Sequence, residues 1–366
     1  MLYFLSYLQN YFGPARLFEY LTFRAGGAGF TAFLLVVLLG GFTARKLKSY
    51  KTQALNRYEG YLTEDKIDKE KEKTPSMGGI LVIGAVIVAA ILWSNLTNVI
   101  PLILIIATIE FALIGFWDDY RKAFKHDRDG LSEGMKWLTT ITVALSVVLA
   151  LIMIPSTKGL MMEIVVPFKK DSLYIGWFSI PVALAAILGC THAVNLTDGK
   201  DGLASGCMIF SMSSMSIFAY LTGNRIWADY LNLPLITGVG ETMVFGSAVV
   251  GACVGFLWHN CHPASMFMGD TGALPLGGAL SIIAVILRQE ILLILVGGVF
   301  VLEAGSALCQ KFTCKLCKKR FFRCTPLHHH FEKSWGGSWS ENQIVVRFWI
   351  LAGLFALMAL ATLKLR

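Results

Sequence analysis

The feature that most restricts this chain is a succession of apolar runs, each close to the ~20 residues a helix needs to cross a hydrocarbon layer and each separated from the next by a short polar break. The runs cover roughly 26–44, 77–93, 99–117, 136–154, 176–193, 203–221, 241–258, 273–287, 291–309 and 344–363. Inside a bilayer the backbone has no water to bond, so each run has to satisfy its own N–H and C=O groups as a helix. The prediction is an all-α polytopic membrane protein with about ten transmembrane helices. Composition agrees, since 55% of the 366 residues are hydrophobic and only 15% are charged, which excludes an ordinary soluble domain. No shift in composition divides the chain, so residues 1–366 read as a single integral-membrane domain. The opening residues lack a basic cluster followed by an apolar core and a small-residue cleavage site, so the spans themselves are expected to direct insertion.

A formal charge of +8 raises the question of nucleic acid, but in a membrane protein basic residues are first a topology signal. Their positions decide against nucleic acid. Loops after odd-numbered spans hold most of them: Arg45 to Lys73 after the first, Arg121, Lys122, Lys125, Arg128 and Lys136 after the third, Lys311 to Lys333 after the ninth. Loops after even-numbered spans hold few, such as Lys158, Lys169 and Lys170 in one and Arg225 in another. The bias puts the odd loops in the cytoplasm and both termini on the outer, periplasmic side, with a short extracytoplasmic hairpin inside 156–174.

Four polar motifs fall in those odd loops. Asp118-Asp119 closes the third span; Asn195-Leu196-Thr197-Asp198-Gly199-Lys200-Asp201-Gly202 follows the fifth; Asn260 and Phe267-Met268-Gly269-Asp270-Thr271-Gly272 follow the seventh; His328-His329-His330 follows the ninth. Random loop content would have split between the two faces, so one cytoplasm-facing site is the economical reading. Adjacent aspartates repel unless a cation stands close, and a negative charge at a helix C-terminus opposes the helix dipole. Glycines around Asp270 let backbone amides approach a phosphate at the start of the next helix. The oxygen-rich 195–202 stretch suits a hard cation or a phosphate. Thr74-Pro75-Ser76 opens the second span just after Lys71 and Lys73, as a plain helix start or as a basic rim for an anionic substrate. The histidines can bind metal, move protons or hold phosphate. Next to them, Cys314, Cys317 and Cys324 raise a zinc knuckle, against which stands the single Cys-x-x-Cys and the surrounding Lys-Lys-Arg-Phe-Phe-Arg, which reads as a membrane-surface segment. Glu110 and Glu303 lie inside spans and are left out of the site.

Taken together, Thr-Pro-Ser-Met-Gly-Gly, Gly-Phe-Trp-Asp-Asp-Tyr-Arg-Lys, Asn-Leu-Thr-Asp-Gly-Lys-Asp-Gly-Leu-Ala, Phe-Met-Gly-Asp-Thr-Gly and Pro-Leu-His-His-His-Phe-Glu resemble the polyprenyl-phosphate N-acetylhexosamine-1-phosphate transferase superfamily in content and order, over nearly the whole chain. The His-His-His-Phe-Glu motif looks like its muramoyl-pentapeptide branch. The resemblance implies transfer of phospho-N-acetylmuramoyl-pentapeptide from UDP-MurNAc-pentapeptide to undecaprenyl phosphate in the cell inner membrane, giving lipid I and UMP with Mg²⁺ as cofactor, and a homodimer. It implies Asp118, Asp119, Asp270 and His329 as catalytic, with Asp270 the Mg²⁺ ligand and Asp118 and Asp119 further ligands. It implies substrate contacts from Lys71, Ser76, Lys122, Asn195, Leu196, Asp198, Asp201, Asn260, Phe267, His328 and His330. Two other readings stay open: a sister enzyme that uses UDP-N-acetylglucosamine, and a cation-coupled transporter, which would place ionisable groups near mid-bilayer rather than at span ends.

Overall fold

One helix, Asp270–Ile286, is buried along its whole length, and the other long helices are arranged around it. In this computed structural model, which describes residues 1–50, 74–124, 130–169, 171–334 and 339–364, the helices are α1 (Leu21–Ser49), α2 (Gly79–Trp93), α3 (Val99–Phe124), α4 (Glu133–Met153), α5 (Pro155–Lys158), α6 (Ser179–Thr197), α7 (Leu203–Gly223), α8 (Arg225–Tyr230), α9 (Glu241–Asn260), α10 (Asp270–Ile286), α11 (Glu290–Val296), α12 (Gly298–Cys317), α13 (Leu327–Ser334) and α14 (Glu341–Ala361). The central helix α10 packs against α3, α6, α2 and α7. A second layer is set by α1 on α9 and by α7 between α9 and α14.

Sequence explains how α1 meets α9. On α1 the stripe Ala25, Ala28, Ala32, Val36 and Gly40 is buried, while Phe30, Leu38 and Phe42 are exposed. Small residues let two backbones come close, which is how helices associate where lipid removes the usual hydrophobic drive. The exposed phenylalanines and leucines are then the lipid-facing side.

The structure bears out an all-helical, polytopic membrane protein and adjusts the expected spans. Among the described residues seven helices are long and apolar enough to cross a membrane, and the α11–α12 pair, bent by 89°, makes an eighth if counted as one broken span. The expected run at 291–309 is therefore two helices, with Gly297-Gly298 at the bend. The expected runs at 77–93 and 273–287 become α2, of 15 residues, and α10, of 17, which begins three residues earlier than expected; both fall short of a full crossing length. A helix enclosed by protein need not match the bilayer thickness, and α10 has no lipid-facing residue to shield. The α2 start is shortened because its leading segment is used elsewhere: the Gly78 and Gly79 amides donate to the Phe267 and Met268 carbonyls at 2.8 Å, and the Phe267 amide donates to Pro75 O at 2.8 Å.

A hairpin forms within 156–174. β1 (Glu163–Ile164) pairs antiparallel with β2 (Leu173–Tyr174), Glu163 opposite Tyr174. The first strand ends ahead of Pro167, which has no amide for a ladder. That end of the bundle is closed by Arg24, whose guanidinium makes a two-pronged contact with Glu241 at 2.6 and 2.7 Å.

Candidate active site

At the other end of the bundle, the end of α3 meets the start of α10. Gly115 allows it: a Cβ there would collide with the Asp270 carbonyl oxygen. Gly269, with φ +74°, turns the chain into α10 in a conformation that costs L-residues steric strain. These two glycines bring Asp118, Asp119 and Asp270 together, so that ligand oxygens from all three lie within 4.8 Å of one another, and all three residues are buried.

The two neighbouring aspartates do different things. Asp119 accepts from the backbone amides of Asp270 (3.3 Å) and Thr271 (2.9 Å) and from Thr271 Oγ1 (2.6 Å). It caps α10 from another helix, where the first amides have no partner of their own and the dipole favours negative charge. Asp118 instead accepts from the Leu131 amide at 2.8 Å and meets two ammonium groups. Lys122 Nζ bonds Asp118 Oδ2 and lies 3.3 Å from Asp270 Oδ2; Lys136 Nζ bonds Asp270 Oδ2 and lies 3.3 Å from Asp118 Oδ2. The result is an alternating square of two carboxylates and two ammonium groups beside the capping Asp119.

Asp198, the C-cap of α6, stands next to this cluster. Burial, and then the negative charges of Asp270 and Asp119, push its carboxyl up to about 7, while the Gly269 amide partly offsets the effect. Asp201 accepts from the Ala264 amide (3.3 Å) and lies 2.9 Å from His262 Nδ1; with Glu341 these form a second group of converging ligand atoms. Among the described residues, neither such group includes a cysteine, which leaves the zinc-knuckle reading without support.

The histidine segment joins the site through α13. Lys200 Nζ lies 2.9 Å from Glu332 Oε1, and Glu332 Oε2 lies 3.4 Å from His329 Nδ1. The His329 bond and the Lys200 charge hold the Glu332 carboxyl at about 2, and burial lowers the His329 imidazole below its ordinary value. His330 accepts from the Arg323 amide at its Nδ1, 3.3 Å away.

Other residues expected to contact substrate make bonds within the protein or line the site's surroundings. His328 is turned inward, 1% exposed, with Nδ1 3.2 Å from Glu303 Oε2, and its ring occupies the space into which a Cβ at Gly199 would project. It fastens α13 to α12 and to the 198–202 loop rather than facing the rim. Glu303, which sequence reading set aside, is its partner. Asn260 spends its amide within the chain, accepting from the Gly202 amide (2.9 Å) and donating to Met266 O (2.8 Å), so it ties together the two loops that carry Asp201 and Phe267. Asn195 is half-buried and Leu196 exposed on the last turn of α6; Phe267 and Ser76 are half-buried beside Gly269. Lys71 lies outside the described residues.

Lys136, Thr271, His262, Glu332 and Glu341 were not singled out from sequence. Lys136 carried a readable signal: a cation in the first turn of a helix capped by Ser132 opposes the dipole and requires an anionic partner.

The comparisons with known proteins agree with this geometry. A family model described as glycosyl transferase family 4 matches residues 101–288, which contain the whole acidic cluster. Phospho-N-acetylmuramoyl-pentapeptide-transferases from Methylacidiphilum infernorum and Desulfotalea psychrophila are 42% and 44% identical to this chain, each alignment covering 100% of both proteins. A third, from Syntrophus aciditrophicus, is 43% identical with the same coverage. On that end-to-end likeness, the chain belongs to the phospho-N-acetylmuramoyl-pentapeptide-transferase family, within glycosyl transferase family 4.

Proposed function

We propose that this protein transfers phospho-N-acetylmuramoyl-pentapeptide from its UDP carrier to undecaprenyl phosphate, releasing UMP and forming lipid I, the first membrane step of peptidoglycan synthesis. The observation that carries the reading is the convergence of Asp118, Asp119 and Asp270 at one end of an apolar helical bundle. A water-soluble nucleotide sugar and a membrane-held phosphate can meet only at such a boundary. Phosphoryl transfer needs positioning and charge neutralisation more than covalent chemistry from the protein.

In this reading Asp118, oriented by the Leu131 amide and the two lysines, takes the proton of the acceptor phosphate and directs its oxygen at the β-phosphorus. Asp270 holds Mg²⁺, with Asp118 and Asp119 as further ligands; three clustered carboxylates are hard oxygen donors of the type that ion takes. When bound, Mg²⁺ supplies neutralisation of the diphosphate charge. Lys122 and Lys136 hold phosphate oxygens. Asn195, Leu196, Asp198, Asp201 and Phe267 line the nucleotide pocket, with Ser76 at its rim, and Lys71 is a further substrate contact. His329 and His330 face the substrate phosphates while Lys200 and Glu332 fix the His329 ring. Attack is direct, without an aspartyl-phosphate.

The same proposal covers the setting: one domain over 1–366, ten crossings of the cell inner membrane with both termini outside, the site open to the cytoplasm, and a homodimer. The deciding assay supplies purified protein with Mg²⁺, undecaprenyl phosphate and either UDP-MurNAc-pentapeptide or UDP-N-acetylglucosamine. UMP release with the first sugar alone is the expected result; release with the second alone assigns the chain to another envelope glycan. A phosphorylated aspartate trapped without acceptor overturns direct attack.

A further inference from the structure

Among the described residues, the segment that links α12 to the histidine helix touches the site through the Arg323 amide on His330. Ser306 is the last buried residue of α12, and from Ala307 to Leu327 no residue is buried. The helix therefore runs on past the packed bundle for several turns, set at 89° to α11.

Its surface is two-sided. At 100° per residue, Leu308, Phe312 and Leu316 form a stripe, and they are 58%, 63% and 77% exposed. Lys311 and Lys315 fall along one edge of that stripe. On the opposite side Gln310 holds the returning chain: its Oε1 accepts from the Phe321 and Phe322 amides (3.1 and 2.9 Å) and its Nε2 donates to Phe322 O (3.1 Å). This clamp, after a left-handed turn at Lys318, sets Lys318, Lys319, Arg320 and the exposed Phe321 beside the helix end. Between Glu303 and Glu332 the sequence contains no acidic residue.

We propose that residues 308–323 are a seat for anionic phospholipid headgroups, with Leu308, Phe312, Leu316 and Phe321 in the acyl boundary and Lys311, Lys315, Lys318, Lys319 and Arg320 on the lipid phosphates. A dissolved polyanion would satisfy the cations and leave four large apolar side chains in water. A neutral lipid would cover the apolar side chains and leave the cations without counter-charge. Only an anionic lipid surface offers hydrocarbon and negative charge at adjacent depths. The seat shares no residue with the acidic cluster, and the chain runs from it into α13.

Native mass spectrometry of the full-length protein in detergent, titrated with phosphatidylglycerol or phosphatidylcholine, tests this. The expected result is tighter retention of phosphatidylglycerol, weakened by salt and by about fivefold for each of Lys311→Gln and Lys315→Gln. Single exposed substitutions of this kind leave the bundle intact, and an unchanged unfolding temperature checks it. Phe312→Ser with Leu316→Ser should weaken both lipids. Equal retention of the two lipids, no effect of the lysine variants, or displacement of phosphatidylglycerol by inorganic phosphate at equal concentration would each overturn the proposal, the last by showing a free-anion site. Retention of polyprenyl phosphate with exclusion of phosphatidylglycerol would overturn it too, because the segment would then serve the substrate alone.

Discussion

Lys136→Met should destabilise the protein and at the same time make its stability depend more strongly on a divalent cation. Lys136 Nζ bonds Asp270 and lies 3.3 Å from Asp118 Oδ2. At that distance, with an effective dielectric near 20, the gross attraction between unit charges is about 5 kcal/mol, and breaking a buried pair by removing one partner typically costs ~3–5 kcal/mol. Lys122 remains in contact with both carboxylates, so the lower end, about 3 kcal/mol, is expected. Methionine keeps most of the side-chain volume, so the loss reports charge rather than a cavity. Three ionised carboxylates facing two ammonium groups carry one surplus negative charge; without Lys136 they carry two. The variant should therefore unfold earlier than the wild type in chelator and recover more on addition of Mg²⁺. Adding Asp118→Asn to Lys136→Met returns the charge balance and should restore stability in chelator without restoring UMP release. Thermal unfolding in detergent, with and without Mg²⁺, reads all of this. Equal unfolding of wild type and Lys136→Met in chelator, or an identical Mg²⁺ response, would show that the cluster is not held by charge compensation.

Asp270→Asn should abolish Mg²⁺-dependent UMP release while the protein still inserts and purifies; near-normal turnover would remove Asp270 from the site. Asp198 keeps its proton up to about pH 7 when folded, whereas an unfolded aspartate loses it near 4. Between those values the folded state binds the extra proton, so stability falls as pH rises through that window, and Asp198→Asn should flatten the profile measured by unfolding. Gly115→Ala drives a methyl group into the Asp270 backbone and should lower both stability and turnover, with the loss larger for turnover because the carboxylates separate. Lys200→Met leaves Glu332 with His329 alone and should shift the pH dependence of turnover; because Lys200 is buried and Glu332 half-exposed, a modest fall of the unfolding temperature, about 1 kcal/mol in stability, is expected with it.

What sequence could reveal follows from the physics of each signal. Span existence was readable because hydrocarbon demands long apolar helices, and the motif order was readable because the chemistry needs carboxylates at span ends. The Gly297-Gly298 break was not, because an apolar run reads the same whether straight or bent. His328 could not be separated from His329 and His330 by composition, although residues 100° apart on a helix must face different neighbours, here Glu303 for one and Glu332 for the next.

The same rotation explains the Asp118-Asp119 pair. Consecutive residues on a helix point about 100° apart, so the two carboxylates reach the same cluster while taking different protein partners. Asp118 turns towards Lys122, Lys136 and the Leu131 amide, and Asp119 towards the amides that open α10. Through Asp119 the α3 end fixes the α10 start, and thereby Asp270, relative to Asp118. Asp119→Asn keeps the shape and one acceptor oxygen for Thr271, but turns an NH2 donor towards the Asp270 amide and exchanges charge-assisted bonds for neutral ones, at a cost of about 2–3 kcal/mol. If Asp119 acts by holding Asp270 in place, that variant should retain Mg²⁺-dependent turnover at a reduced rate, whereas Asp119→Ala, which leaves the Thr271 hydroxyl and two amides without their acceptor, should lose stability and turnover together. Loss of turnover in Asp119→Asn as complete as in Asp270→Asn, with unfolding unchanged, would show that its place on the metal outweighs its hold on the start of α10.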